Sequence, residues 1–358
     1  MSEAEPVPEA LVPLGPWLER RIPLAEAVEL RGVRKASSGF SADTVMLDVV
    51  VTRAGITNEE RYVLRTESPE PPIYPVQVPG WAVEIELQYR VMDALGRHSD
   101  VPVAPMIGYD DDRAVLGTPF FVMGFVEGQV PVEDPPYTTA GFFLDVAPDD
   151  RHRMIERGLA TLARVHAVDW RAAGLDWLVP PGTTPGLDMQ VSLWEAYYRA
   201  ELRDRAHPLV DRAFAWLHAE RPRASPVGLC WGDPRPGNVI WRDAAPVCVT
   251  DFEAASIAPP ELDVGWWLMF DRTMHEGAGV DRPEGDPTRD DQLHMYEEAS
   301  GRAVPDARWF EICAAARYCA IVVRVMNRAV DRGLMPEDHI IWLENPAVTA
   351  LESLFAET

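Results

Sequence analysis

Cysteine is scarce in this 358-residue chain, and metal-type spacing is missing from it. Cys230, Cys248, Cys313 and Cys319 form no C-x-x-C pair and no His-paired cluster, so buried thiols are the expectation. Bases are also few, 33 against 57 acids, for a formal charge of −24. Phosphate backbones and anionic membrane surfaces need a basic footprint, so no nucleic acid and no membrane partner is expected. The acidity would suit a cationic ligand by steering, and it serves solubility equally well. The first ten residues lack the basic and apolar regions of a signal peptide. The most apolar helical stretch, residues 312–326, is cut by Arg317 and Arg324, which rules it out as a membrane span. A reduced, cytoplasmic protein is the expectation.

What is present is a globular composition, 47% hydrophobic and 25% charged, in a chain long enough for two lobes. A short helix is expected over 14–21, then strands over 27–35, 44–53 and 61–66, the last two joined through residues 54–58. Residues 69–79 carry five prolines and must form an extended loop. Helical spacing runs over 81–95, and strand-like runs follow at 101–109 and 118–126. Beyond a connector at 130–136, helices are expected over 150–168, 193–205, 209–220, 262–275, 289–300, 306–332 and 337–355. The fold class is therefore α+β: a small β-rich lobe, residues 1–126, and a larger mainly helical lobe, residues 127–358.

The second lobe carries the informative stretch. Asp233 is followed five residues on by Asn238, and Asp251-Phe-Glu253 comes after a further apolar run. Residues 238–242 and 247–251 read as a hairpin around the turn-like Asp243-Ala-Ala-Pro246. If Arg242 faces Val247, Asn238 lies opposite Asp251, with Cα atoms about 4.5–5.5 Å apart. An amide and a carboxylate could then share one magnesium ion, and a nearby carboxylate could orient a hydroxyl, as kinase-type phosphoryl transfer requires. A one-residue slip would break this pairing.

The first lobe offers complementary groups. Ser38, Gly39 and Phe40, between the first two strands, could cover phosphates through backbone N–H groups or could form an ordinary hairpin turn. Arg65 shares a strand face with Val63 and is the candidate cation, with an edge-strand surface role as the other reading. On the following helix Glu84, Glu86 and Gln88 compete to orient it, with Glu84 favoured; Glu84 and Gln88 share a face by i,i+4 spacing. Met123 to Phe125 would present a hinge backbone to an adenine edge, or would be core. His166 ends a helix and reads as packing. Asp263 either caps a helix or braces the loop around Asp233.

Together these residues resemble the aminoglycoside phosphotransferase and choline kinase-like enzymes. The family's His-Gly-Asp-x-x-x-x-Asn loop is similar to Trp231-Gly-Asp-Pro-Arg-Pro-Gly-Asn238, its Ile-Asp-Trp-Glu to Thr250-Asp-Phe-Glu253, and its Asp-Leu-Ala to Asp263-Val-Gly265. The likeness spans roughly residues 28–270. It implies a protein-kinase-like fold, Asp233 as catalytic base, Asn238 and Asp251 as magnesium ligands, and Arg65 on the phosphates of ATP. Trp231 departs from the usual histidine, Gln88 stands where the helix carboxylate would best align, and Arg65 replaces lysine. The arginine resembles the phosphotransferase-like domains fused to acyl-CoA dehydrogenases.

The expected activity is ATP- and Mg2+-dependent transfer of the γ-phosphate to a hydroxyl of a small molecule. An aminoglycoside or related aminosugar is the first expectation, with Asp271, Glu276, Asp290 and Asp291 as ammonium partners. A hydroxylated acyl or other metabolite, beside Trp266 and Trp267, is the second. A nucleotide-binding regulator without catalysis is the third.

Overall fold

The computed structural model describes residues 5–35, 43–78, 84–223 and 226–357. Ser38, Gly39 and Phe40, and the start of the helix expected at 81, lie outside them. After α1 (Leu14–Glu19) come β1 (Ala27–Lys35), β2 (Asp43–Arg53) and β3 (Ile56–Thr66), then α2 (Glu84–His98), β4 (Met106–Asp110), α3 (Arg113–Leu116) and β5 (Phe120–Gly124). The strands form one antiparallel sheet in the order β1-β2-β3-β5-β4.

Two strand boundaries differ from expectation, each for a local reason. β3 starts at Ile56 rather than 61 because Ala54 and Gly55 both take positive φ, 50° and 73°, giving a two-residue turn that matches sheet twist. β4 starts only at Met106 because Pro102 and Pro105 have no N–H to give a ladder. Their carbonyls serve as acceptors instead, Pro105 for Gly124 N–H and Pro102 for Val249 N–H.

The sheet separates two cores by simple alternation. Phe120 and Val122 face α1 with Leu14, Trp17, Leu47 and Leu64. Phe121 and Met123 face α2 with Ile85, Val91 and Leu95. Directly opposed residues share a face, and Arg65 lies opposite Phe121, so its side chain emerges on the α2 side, toward the second lobe.

That lobe holds α4 (Phe142–Asp145), α5 (Pro148–His166), α6 (Leu187–Leu202), α7 (Pro208–Ala219), β6 (Gly228–Cys230), β7 (Val239–Arg242), β8 (Ala245–Val249), β9 (Ser256–Ala258), α8 (Glu261–His275), α9 (Arg289–Ser300), α10 (Ala307–Asp331) and α11 (Pro346–Ala356). The last helix is shorter than the expected 337–355. Asn345 caps it, accepting from Ala347 and Val348 N–H, and Pro346 occupies its first turn. Among the described residues no helix is long and apolar enough to cross a membrane, and all four cysteines are buried and free.

α8 and α10 pack closely at Gly265, where an added Cβ would stand 2.4 Å from the Phe310 carbonyl carbon. Backbone cannot retreat as a flexible side chain can. Gly265→Ala is therefore expected to cost about 1–3 kcal/mol, read as a lower urea midpoint at unchanged m-value.

Candidate active site

The loop carrying Asp233 is held from beneath by a buried carboxylate. Asp263 accepts from Trp231 N–H at 2.6 Å and Gly232 N–H at 3.0 Å, and its Oδ2 lies 3.1 Å from His166 Nε2. His166 Nδ1 is 2.8 Å from the Tyr296 hydroxyl, so an Nε2–H tautomer satisfies both ends of the ring. Asp263 thus braces the loop rather than capping α8, which it enters as the third residue. Gly232 has φ 94°, and a Cβ there would meet Ala254 O at 2.2 Å, so only glycine fits this crossing.

Trp231, which stands in place of histidine, is also a brace. Its indole N–H donates to Thr250 O at 2.7 Å and its ring stacks on Phe252 with centroids 5.6 Å apart. Thr250 precedes Asp251, so the two segments are tied directly.

The expected hairpin exists, but in another register. Val239 faces Val249 and Ile240 faces Cys248, and Thr250 N–H donates to Asn238 O at 3.0 Å. Asn238 therefore pairs with Thr250, not Asp251. Two features set the register. Asp243 and Ala244 both have positive φ, 52° and 54°, making a two-residue loop where four residues were expected. A bulge at Val247, between the Ile240–Cys248 and Trp241–Pro246 pairs, gives one position back. Asp251 leaves the ladder with φ 65°, a conformation aspartate tolerates better than most residues.

Asp233 is buried and crowded with donors. Trp266 Nε1 reaches its Oδ1 at 2.6 Å, and Asn238 Nδ2 reaches Oδ2 at 2.8 Å. Arg235 Nε lies 2.9 and 3.1 Å from the two oxygens, and the Tyr74 hydroxyl is 3.0 Å from Oδ2. Arg235 also pairs with Glu133 and lies over the Phe270 ring. Burial opposes its charge, but Asp233 and Glu133 outweigh burial and hold its pKa above the ordinary value.

Arg65 crosses from the sheet to this centre, 3.9 Å from Asp251 Oδ1 and 3.7 Å from Glu253 Oε1. The orienting partner on α2 is Gln88, not Glu84: Arg65 donates to Gln88 Oε1 at 2.6 Å. Glu84 instead shares a hydrogen bond with Glu253. Burial, and then that bond, pushes Glu253 up to about 8, while burial raises Glu84 as well. Burial, and then the Glu253 charge, likewise lifts Asp251 well above the carboxylate range, against the pull of Arg65. Asp251 Oδ1 is buried with no hydrogen-bond donor. An oxygen-rich cluster with surplus negative charge and an unfilled lone pair fits a hard divalent cation.

The hinge also differs in detail. Met123 is paired on both sides of β5 and buried, so it is core. Gly124 N–H goes to Pro105 and Phe125 N–H to Arg61, so Met123 to Phe125 have no N–H to offer an adenine edge. The next backbone along the connector is at residues 126–127.

The four acids expected to meet ammonium groups are all engaged within the chain. Arg282 pairs with Asp271, Arg272 with Glu276 at 2.8 Å and Arg289 with Asp290 at 2.7 Å, while Asp291 completes a capping box with Thr288. Asp271, His275 and Asp286 bring donor atoms within 4.8 Å of one another. His275 Nε2 is 2.6 Å from Asp286, and its Nδ1 is 2.8 Å from Asp271 O, so both ring nitrogens face acceptors and Arg282 fills the remaining side. This is a self-neutralising ion network, separate from the Asp251 cluster.

Arg235 and Tyr74 were not marked as site residues by the sequence, and Trp266, expected beside an acceptor, is also a direct donor to the base. For Arg235 the available signal was its place in the loop between Asp233 and Asn238.

A two-lobed kinase fold with its ionic centre between sheet and helices is the class that this geometry defines. The chain belongs to the phosphotransferase enzyme family, whose model matches residues 32–310. A crystal structure from Ralstonia eutropha JMP134, provisionally designated an aminoglycoside phosphotransferase, superimposes with TM-score 0.69. It is 24% identical and covers 96% of this chain and 94% of that one, a likeness of fold. Acyl-CoA dehydrogenase IBR3 of Arabidopsis thaliana is 27% identical over 269 residues, 70% of this chain and 31% of that protein. Acyl-CoA dehydrogenase family member 11 of Pongo abelii is 25% identical over 326 residues, 85% of this chain and 39% of that protein. The chain spans less than half the length of these curated relatives. Family and fold support ATP-dependent phosphoryl transfer to a small molecule.

His275 gives the network a pH signature. Burial disfavours its charge, but Asp286 and Asp271 outweigh burial and raise its pKa. A raised folded value adds stability that is complete below the unfolded pKa, about 6.5, and is lost as pH rises through the folded value. Urea midpoints are expected to fall as pH climbs above about 6.5, and His275→Gln should flatten that slope.

Proposed function

We propose that this chain is an ATP- and Mg2+-dependent O-phosphotransferase in which Asp233 is the catalytic base. The observation that carries the reading is the convergence on one buried centre of Asp233, Asn238, Asp251 and Arg65, contributed by both lobes. Asp251 and Asn238 would hold the metal, which neutralises phosphate charge when bound. Arg65, oriented by Gln88, faces the position of the nucleotide phosphates. Asp233 accepts the proton of the acceptor hydroxyl, and its indole, amide and guanidinium partners fix the carboxylate for that step. Under this reading residues 1–126 form the nucleotide lobe and residues 127–358 supply the base and the acceptor site.

For the acceptor, the geometry favours a hydroxylated acyl or other largely apolar metabolite over an aminosugar. The acids that would bind ammonium groups are already paired. Around Asp233 stand Trp266, Phe270, Tyr318 and Trp194, with Arg317 packed over Trp194 and Trp266. Relatives named acyl-CoA dehydrogenases, which contain a stretch similar to this chain, point the same way.

Asp233→Asn is expected to lower turnover at least about 100-fold while a thermal shift with Mg-ATP persists. Asp251→Ala is expected to abolish the magnesium-dependent part of that shift. Full activity in Asp233→Asn would remove the assignment. Failure of the wild type to bind Mg-ATP, or to consume it with a panel of hydroxyacyl compounds and aminosugars, would leave a non-catalytic protein.

A further inference from the structure

A carboxylate offers about four lone-pair positions. Asp233 has them filled: Trp266 and Arg235 on Oδ1, Asn238, Tyr74 and Arg235 on Oδ2. Three of these partners are N–H donors on the catalytic loop or α8. Tyr74 differs in kind and origin. It is a hydroxyl, and it comes from the proline-rich loop of the other lobe, 159 residues away in sequence. An O–H donating to the catalytic carboxylate is the relation that an acceptor hydroxyl must have with its base.

The loop that delivers Tyr74 is strapped down. Arg324, Arg328 and Arg332 rise along one face of α10 and its end at i,i+4 spacing. Arg324 donates to Pro72 O at 3.2 Å and Pro71 O at 3.0 Å, and Arg328 also donates to Pro71 O. Arg328 and Arg332 pair with Glu70 at 2.8 and 2.7 Å. Tyr197 donates to Ile73 O, and Gln190 to Gln77 at 3.0 Å. Prolines have no N–H, so the loop presents carbonyls, which the donor-only arginines match. Tyr74 then meets Trp194 edge-on, with centroids 6.4 Å apart.

We propose that Tyr74 occupies the acceptor position as an internal surrogate of the substrate hydroxyl. An acceptor reaches Asp233 only by displacing it, so Tyr74 and its strap determine which hydroxyls gain access. The inference rests on Asp233 being the base. It also sharpens the acceptor class: the space vacated is that of a phenol against Trp194, which suits a flat or apolar group bearing a hydroxyl.

The test uses the full chain with Tyr74→Ala, Tyr74→Phe and p-cresol, the tyrosine side chain in free form. Without nucleotide, p-cresol is expected to raise the melting temperature of Tyr74→Ala and not of the wild type. With Mg-ATP, Tyr74→Ala is expected to hydrolyse ATP about tenfold faster than wild type. In that reaction the oxygen of water bonds to the γ-phosphorus, the bond to the ADP oxygen breaks, and Asp233 takes the water proton. Added p-cresol should suppress the gain or itself emerge as cresyl phosphate, and Asp233→Asn in the same background should abolish the gain. Tyr74→Phe, which keeps ring and strap, should show a smaller gain and covers the case in which Tyr74→Ala does not fold. The proposal is overturned if folded variants that bind Mg-ATP hydrolyse it no faster than wild type. It is equally overturned if the gain survives Asp233→Asn, or if p-cresol leaves Tyr74→Ala unstabilised. A wild type without an Mg-ATP thermal shift would instead bring down the phosphotransferase reading on which this rests.

Discussion

Asp263 carries no chemistry of its own, yet the centre of the molecule is arranged around it. Its carboxylate gathers two backbone N–H groups of the loop and the His166 ring, joining α5, α8 and the loop at one buried point. Three donors on its two oxygens offset the cost of burying that carboxylate. The loop is then free to spend its own side chains on Asp233 and Asn238 rather than on holding itself. Trp231 extends the same frame to Thr250, and so to the segment bearing Asp251.

Above this frame the electrostatics are deliberately unbalanced. Asp233, Asp251, Glu253 and Glu84 face the two guanidiniums of Arg65 and Arg235, and burial raises three of those carboxyls above their ordinary range. Like charges that burial prevents from relaxing are a poor basis for stability, and they are what a cation-dependent centre requires. The contrast with Asp271, His275, Asp286 and Arg282 is instructive. There His275 and Arg282 lie between Asp271 and Asp286, so opposite charges meet within the chain and tie the group together.

Much of the architecture was legible because it is written at short range. Residues 27–35 alternate and form β1 over the same span, and residues 289–300 form α9 within the expected bounds. Asp233 and Asn238 are five residues apart on one loop, so their meeting follows from local spacing. Errors arose where a single backbone conformation controlled a longer consequence. Positive φ at Asp243 and Ala244 shortened a turn by two residues, a bulge at Val247 gave one back, and Asn238 moved from Asp251 to Thr250. Gln88 rather than Glu84 met Arg65, because which face of α2 turns to β3 is set by packing against the whole sheet.

By itself, then, the sequence determined the order of strands and helices, the loop holding the carboxylate and amide, and the arginine on β3. Periodicity and turn chemistry are properties of neighbouring residues, and they survive without knowledge of the fold. Tertiary structure alone decided what closes around Asp233. Trp266 arrives from 33 residues away and Tyr74 from 159, each placed by helices and prolines that make no local statement about the site. Contacts across such separations depend on how whole elements pack, and no short motif encodes that distance.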